Sequence, residues 1–162
     1  MRKEDRECHR LCEIQARVFE HSSVALNSSS EIFFRRFMNS NIAKEFDSRA
    51  FLEGSKTLHD VYDDINEQYG ESSYGSIIYN RDVMYWCGYV YRHFCYCYEV
   101  SSKRAYKLLP LKYVASTYEA YHTLSVSQAV ERLLEAKNIS FNEEDINKKG
   151  LMILRRIRSE GK

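Results

Sequence analysis

The sequence predicts an all-α protein, and three observations lead to this prediction. Glycine and proline are scarce, at 6 and 1 of 162 residues, whereas strand-rich folds need frequent turn residues. Apolar residues recur at spacings of three and four along most of the chain, as in amphipathic helices. Residues that favour helix N-termini stand before several of these segments. We therefore expect a single domain, residues 1–162, with six to eight helices around a central aromatic-rich helix at about 81–99.

The N-terminal half divides into helical segments that are separated by polar loops. The first helix is expected at about Lys3–Glu20. Ser28 and Glu31 then have the spacing of a capping box for the segment EIFFRRFM, which continues through IAKEFD as one broken helix or two short ones. Apolar positions from Leu58 onward mark the next helix, and Gly70 is expected to end it.

The C-terminal half carries clear helix-start signals. An acidic first turn and an arginine-rich last turn match the dipole of the final helix, in which Gly150 is a weak point or a close-packing contact. The residues expected to cap or begin these helices are Asn80, Pro110, the capping-box pair Ser125 and Gln128, and Asn142 for a last helix at about 142–160.

The segment YWCGYVYRHFCYCYEV, residues 85–100, is expected to form most of the central helix. On a helical wheel its apolar residues and those just before it fill a continuous arc of roughly 200°. A helix with so wide an apolar arc is surrounded on most sides. Trp86 and Phe94 lie in this arc and are the expected core anchors.

The five cysteines raise the question of a metal or redox site, but thiols without an export signal are expected to be reduced. Cys87, Cys95 and Cys97 point about 80° apart in succession, so they cannot converge on one ion at about 2.3 Å. We expect them to be small buried hydrophobic residues. Cys8 and Cys12 share one helix face, but no third or fourth ligand is evident, and the alternative is the edge of a core. No metal site and no cofactor are predicted.

The opposite arc of the central helix is rich in tyrosine and is one candidate surface for a partner. Tyrosine and arginine are over-represented among interface hot spots. Two alternatives are that the protein's own N-terminal helices cover this arc, or that the tyrosines stack on RNA bases. The candidate partner-binding residues are Tyr85, Tyr89, Arg92 and Tyr96 on this arc, with Arg155 and Arg158 on the last helix.

No catalytic constellation stands out, and we expect no catalytic residues. The Arg2–His9 spacing resembles that of HEPN-type ribonucleases, but such spacings arise often by chance. His122 lies near a helix end, where a structural hydrogen bond is the simpler interpretation. Two short helices flanking Pro110 permit a helix-turn-helix reading, with four basic residues as candidate nucleic-acid contacts: Lys103, Arg104, Lys107 and Lys112.

Charge and hydropathy indicate a cytoplasmic protein without a membrane partner. The net charge is +1, so no whole-molecule field attracts the chain to DNA or to anionic lipid. The most apolar stretch, Val83–Tyr98, is shorter than the roughly 20 residues needed to span a bilayer, and Arg92 interrupts it. The N-terminus has no apolar signal region.

Three segments resemble a poorly characterised family of small all-helical bacterial proteins. They are YWCGYVYR, SSKRAYK and YHTLSVSQAVERL, and FFRRFMNSNIAKEFDS fits the same pattern, so the resemblance covers roughly residues 30–134. Members of this family are found in toxin–antitoxin-type loci, some beside ADP-ribosyltransferase-like toxins. The resemblance implies an antitoxin or accessory role without catalytic residues. The C-terminal helix lies outside the pattern and is expected to be partner-specific.

Together these observations predict a non-enzymatic protein-interaction module, antitoxin-like or accessory, that binds a co-encoded protein such as a toxin. A helix-turn-helix-like DNA-binding regulator is the main alternative, and a small nucleic-acid-processing enzyme is a third. The sequence leaves homo-oligomer formation open.

Overall fold

A computed structural model describes residues 1–141 and 143–161, with backbone alone for 143–149. The described residues form helices and loops and contain no strand, which confirms the all-α prediction. The helices are α1 (Arg6–Ala25), α2 (Ser30–Met38), α3 (Asn41–Asp47), a 3₁₀ turn (Ala50–Glu53), α4 (Leu58–Tyr69), α5 (Arg81–Cys97), α6 (Ser102–Leu108), α7 (Leu111–Ser116), α8 (Tyr118–Tyr121), α9 (Val126–Ala136) and α10 (Glu143–Glu160).

The described residues form ten α-helices, more than the expected six to eight. The segment from Ser30 to Asp47 forms two short helices, one of its two predicted alternatives, and the single helix predicted after Pro110 is divided into α7 and α8. The break between α2 and α3 occurs at Ser40, whose hydroxyl accepts a hydrogen bond from the Ala43 N–H and so starts a new helix. α7 ends at Ser116, and the Thr117 hydroxyl turns back to donate to the Val114 carbonyl before α8 begins.

Several predicted helix ends shift by a few residues. The first helix begins at Arg6 rather than Lys3, because the Asp5 side chain caps it by accepting from the Cys8 N–H at 2.8 Å. The Ser28–Glu31 capping box was wrong: the cap is Ser29, whose hydroxyl accepts from the Ile32 N–H.

Other termini match the sequence. Asn80 caps α5, the reciprocal Ser125–Gln128 bonds are present, and Gly70 ends α4 at a φ of +78°. Pro110 takes the cap position immediately before α7 rather than its first turn. The predicted cap Asn142 lies outside the described residues.

The contacts divide the chain into two compact units, residues 1–130 and 131–162. In the first unit α1 packs along α5 in the antiparallel sense, with Asp5 beside Tyr96 at one end and His21 beside Arg81 at the other. Gly88 permits the close approach, since a Cβ there would come within 2.8–2.9 Å of Gln15, Ala16 and Phe19.

An aromatic cluster fills the space beside this helix pair. Phe19 of α1 meets Phe33 and Phe37 of α2 edge to face, with ring centroids 5.2 and 5.4 Å apart. Of the two predicted anchors, Phe94 is fully buried, as expected. Trp86 is only half-buried and contacts the Tyr118 ring edge to face at 5.7 Å.

Candidate functional site

Arg92, predicted as a partner contact, is instead a buried centre of polar contacts within the first unit. Only 1% of the residue is exposed. Its guanidinium donates to the Gln15 amide oxygen, the Asp47 carboxylate and the Ser102 hydroxyl at 2.7, 2.7 and 2.6 Å. The ring of Phe46 lies beneath it, 5.4 Å from centroid to guanidinium carbon. All three nitrogens are therefore occupied by intramolecular partners.

The tyrosines of the same arc divide into one covered residue and two that are partly accessible. Tyr96 is 5% exposed, and its hydroxyl donates to the Asp5 carboxylate at 2.7 Å. Tyr85 and Tyr89 are half-buried, and the Tyr89 hydroxyl lies 3.2 Å from His9 Nδ1. The N-terminal region thus covers the part of the arc that includes Arg92 and Tyr96.

Three cysteines and a histidine meet where the start of α1 faces the end of α5. The sulfurs of Cys8 and Cys12 are 3.9 Å apart, and Cys97 Sγ lies 3.5 Å from His93 Nε2. Hydrogen bonds from Cys12 and then from Cys97 lower the pKa of the Cys8 thiol. Burial is the main reason why the pKa of Cys97 rises to about 12.

A carboxylate lies beside this thiol cluster. Glu4 accepts from the Ser127 hydroxyl at 2.6 Å and from His93 Nε2 at 2.7 Å. These two hydrogen bonds, the serine's being the larger contribution, hold the pKa of Glu4 below its ordinary value. His93 is 3% exposed, and no described residue bonds its other ring nitrogen, Nδ1. The arrangement differs from a catalytic triad, in which the carboxylate and the nucleophile bind opposite nitrogens of the histidine.

The exposed large apolar side chains described in the second unit lie on the last helix, α10. Between half and seven tenths of each of five residues is open to solvent: Leu151, Met152, Ile153, Leu154 and Ile157. On a helical wheel all but Met152 lie within roughly 160°, with Arg158 inside this arc and Arg155 about 40° outside it. A Cβ added at Gly150 would meet no described atom within 4 Å beyond its own stretch of helix, so nothing among the described residues packs closely against it.

A second exposed apolar surface lies in the first unit, on the loop between α4 and α5. Tyr74, Ile77 and Ile78 are 75%, 67% and 53% exposed. The loop backbone is held in place, since the Tyr74 and Ile77 carbonyls accept from the N–H groups of Ser29 and Ser30. The sequence reasoning missed this surface because its side chains have no helical periodicity.

The remaining sequence candidates are placed as follows. Lys103, Arg104, Lys107 and Lys112 are all exposed on α6 and α7. Arg155 and Arg158 are exposed on α10. His122 Nδ1 donates to the Tyr118 carbonyl at 2.7 Å, which is the expected structural hydrogen bond. Asp47, Gln15 and Ser102 were not predicted, because nothing local in the sequence marks them as partners of Arg92.

Comparison with known proteins adds no identification, because no family model, curated protein or solved structure matches the chain. In the part of the chain that the structure describes, no three histidine, cysteine or acidic side chains form a group that could hold a metal ion. Within the same residues, no helix combines the length and apolarity that crossing a bilayer requires.

Proposed function

We propose that the protein is a non-enzymatic interaction module of the antitoxin or accessory type, which binds a co-encoded protein through α10. The observation that carries the proposal is the exposed apolar face formed by Leu151, Ile153, Leu154 and Ile157. Exposed apolar surface of this kind marks sites of protein interaction, and an amphipathic helix typically lays such a face into a groove.

The charges beside this face suggest the chemistry of the partner. Arg155 and Arg158 are both exposed; Arg158 lies within the arc of the apolar residues and Arg155 about 40° outside it. A complementary partner has an apolar groove with acidic residues at its rim, since opposite potentials across an interface give specificity. The resemblance to proteins of toxin–antitoxin-type loci agrees with a partner encoded by a neighbouring gene.

Co-purification with the product of the adjacent gene tests this proposal. Leu154→Glu combined with Ile157→Glu should weaken binding by about 2 kcal/mol or more, the scale of interface hot spots. Met152→Glu combined with Ser159→Glu is the matched control, because it adds the same two negative charges at exposed positions on the other face. If Ile77→Ser combined with Ile78→Ser abolishes binding and the α10 variants still bind, the interface lies on the loop between α4 and α5 and the proposal for α10 is wrong.

A DNA-binding regulator remains the alternative, and one observation favours it: all four predicted basic contacts are exposed on α6 and α7. If these four side chains neutralise phosphates, log K for operon promoter DNA should fall against log salt with a slope of about −3 to −4. Absence of a mobility shift at low salt, with and without the partner, would eliminate this alternative.

A further inference from the structure

We propose that the C-terminal end of α5 carries a binding site for the guanidinium group of an external ligand, and that Arg2 is its occupant from within the chain. A cavity of about 250 Å³ opens at this end of the helix. Sites for drug-sized ligands are about 300–1,000 Å³, so this cavity suits a group the size of one side chain. The inference is independent of the proposed interaction through α10. The lining residues that carry the argument are Arg2, Asp47, Arg92, Tyr96 and Glu99.

The N-terminal segment, residues 1–5, places the Arg2 guanidinium at the mouth of this cavity. The guanidinium carbon lies 4.9 Å from the centroid of the Tyr96 ring, and Nη2 donates to Glu99 Oε1 at 3.1 Å. The Arg2 backbone N–H donates to the Cys97 carbonyl at 2.7 Å. An aromatic face beside a carboxylate matches a planar, charged fork better than it matches a compact ammonium group. Arg2 therefore indicates which chemical group the site accepts.

The electrostatics of the cavity also favour a cation. The site lies at the C-terminus of a 17-residue helix, which is the negative end of its dipole. The Tyr96 hydroxyl donates to the Asp5 carboxylate at 2.7 Å, and this bond increases the electron density of the ring. In the inner wall Asp47 and Arg92 form an ion pair at 2.7 Å, so their charges cancel. When Arg2 leaves, the Glu99 carboxylate gives the cavity a negative net charge.

The backbone of Glu99 supports a role beyond that of ending the helix. Glu99 follows the C-cap residue Tyr98 and has a φ of +54°, in the left-handed region. The Val100 N–H donates to the Cys95 carbonyl at 3.0 Å, which closes the helix end around this residue. Glycine is the usual residue at this position, and other residues are strained there. The strained backbone thus holds a carboxylate at the mouth of the cavity, which the closure of a helix does not itself require.

An external guanidinium can compete with Arg2 because the internal ion pair is largely open to solvent. The side chains of Arg2 and Glu99 are 35% and 60% exposed, and exposed pairs of this kind contribute little stability. Arg2→Ala should therefore raise the affinity for an external guanidinium about threefold, since it removes a competitor of that strength. Lys3→Ala is the control, because it removes a neighbouring exposed charge that does not line the cavity. Equal effects of the two substitutions would contradict Arg2 as the occupant of the site.

The test titrates isotope-labelled full-length protein with ethylguanidine and follows the backbone amide signals of residues 99–101 by NMR. These signals should shift in a saturable way, with a dissociation constant on the order of millimolar for so small a ligand. Propylamine has the same charge without the planar fork and should bind several times more weakly. A capped glycine–arginine–glycine peptide is the second probe. Tighter binding of the peptide would assign the guanidinium to a partner protein, and tighter binding of ethylguanidine would assign it to a free guanidino compound.

Glu99→Gly separates binding from folding, because glycine relieves the left-handed backbone at this position. This variant should keep the melting temperature within a few degrees of wild type. Its affinity for ethylguanidine should fall about tenfold, since a charge-assisted hydrogen bond is lost. Unchanged affinity in Glu99→Gly, equal affinity for propylamine, or the absence of a saturable shift with both guanidinium probes would overturn the proposal.

Discussion

At the scale of single residues, Arg92 is the side chain whose role in the structure differs most from the sequence-based expectation. A buried guanidinium must be paired, because an uncompensated charge in the interior costs several kcal/mol. Gln15, Asp47 and Ser102 provide that pairing and join α1, α3, α5 and α6 through one side chain. The residue is thus a structural centre of the first unit.

Arg92→Ala should lower the free energy of unfolding by about 3–5 kcal/mol, because it leaves the partly buried Asp47 carboxylate without its cation. Urea unfolding followed by circular dichroism measures the change. Arg17→Ala, an exposed arginine on α1, is the control and should change stability by no more than about 0.5 kcal/mol. Equal stability of the two variants would show that the Arg92 contacts do not stabilise the fold.

The two aromatic anchors of α5, Phe94 and Trp86, should contribute differently to the stability of the fold. Phe94→Ala should cost about 3–5 kcal/mol, since the ring is fully buried and a cavity replaces it. Trp86→Ala should lower the free energy of unfolding by less, because the half-buried indole is already partly solvated and water can take its place. Thermal unfolding of both variants gives the comparison, and a larger loss for Trp86→Ala would contradict the burial difference.

At the scale of secondary-structure elements, the α1–α5 pair depends on one glycine for its close contact. Gly88→Ala should destabilise the protein by about 1–3 kcal/mol, because the new Cβ would overlap the backbone of Gln15 and Ala16. Gly150→Ala in α10 is the matched substitution in open space and should strengthen its helix by up to about 1 kcal/mol. Urea unfolding for the first variant and far-ultraviolet circular dichroism for the second measure these effects.

The N-terminal segment should make stability depend on acid pH through Glu4. Its pKa lies below the ordinary value of 4.5 because Ser127 and His93 donate hydrogen bonds to the carboxylate. A carboxylate whose pKa is lower in the folded protein than in the unfolded chain stabilises the fold at pH values above its unfolded-state pKa. This contribution is lost as the pH falls through the folded-state pKa. Between pH 5 and 3, wild-type protein should therefore lose more stability than Glu4→Gln in urea titrations. Parallel pH profiles would contradict this assignment.

At the scale of the whole molecule, α10 and the rest of the chain should have separable roles. The described side chains of α10, residues 151–160, are all exposed. A chain that ends at residue 141 should therefore keep the melting temperature of the full-length protein within a few degrees, yet lose binding to the co-encoded partner. A collapse of the melting transition in this truncated chain would mean that α10 is needed for folding.

The sequence by itself determined the helical class and most helix starts. Helix periodicity and capping depend on residues within four positions of each other, so Asn80, Ser125 and Gly70 could be assigned correctly without a structure. The errors were local too: Ser29 rather than Ser28 caps α2, since adjacent serines offer equivalent side chains and the backbone geometry selects one.

Only the tertiary structure decided what the side chains of those helices contact. Arg92 meets Gln15 from 77 positions away, and Glu4 meets Ser127 from 123 positions away. Helical periodicity places a residue on a face of its own helix but carries no information about which helix covers that face. The burial of Arg92 among three partners therefore follows from the packing of distant segments, which a local sequence pattern cannot predict.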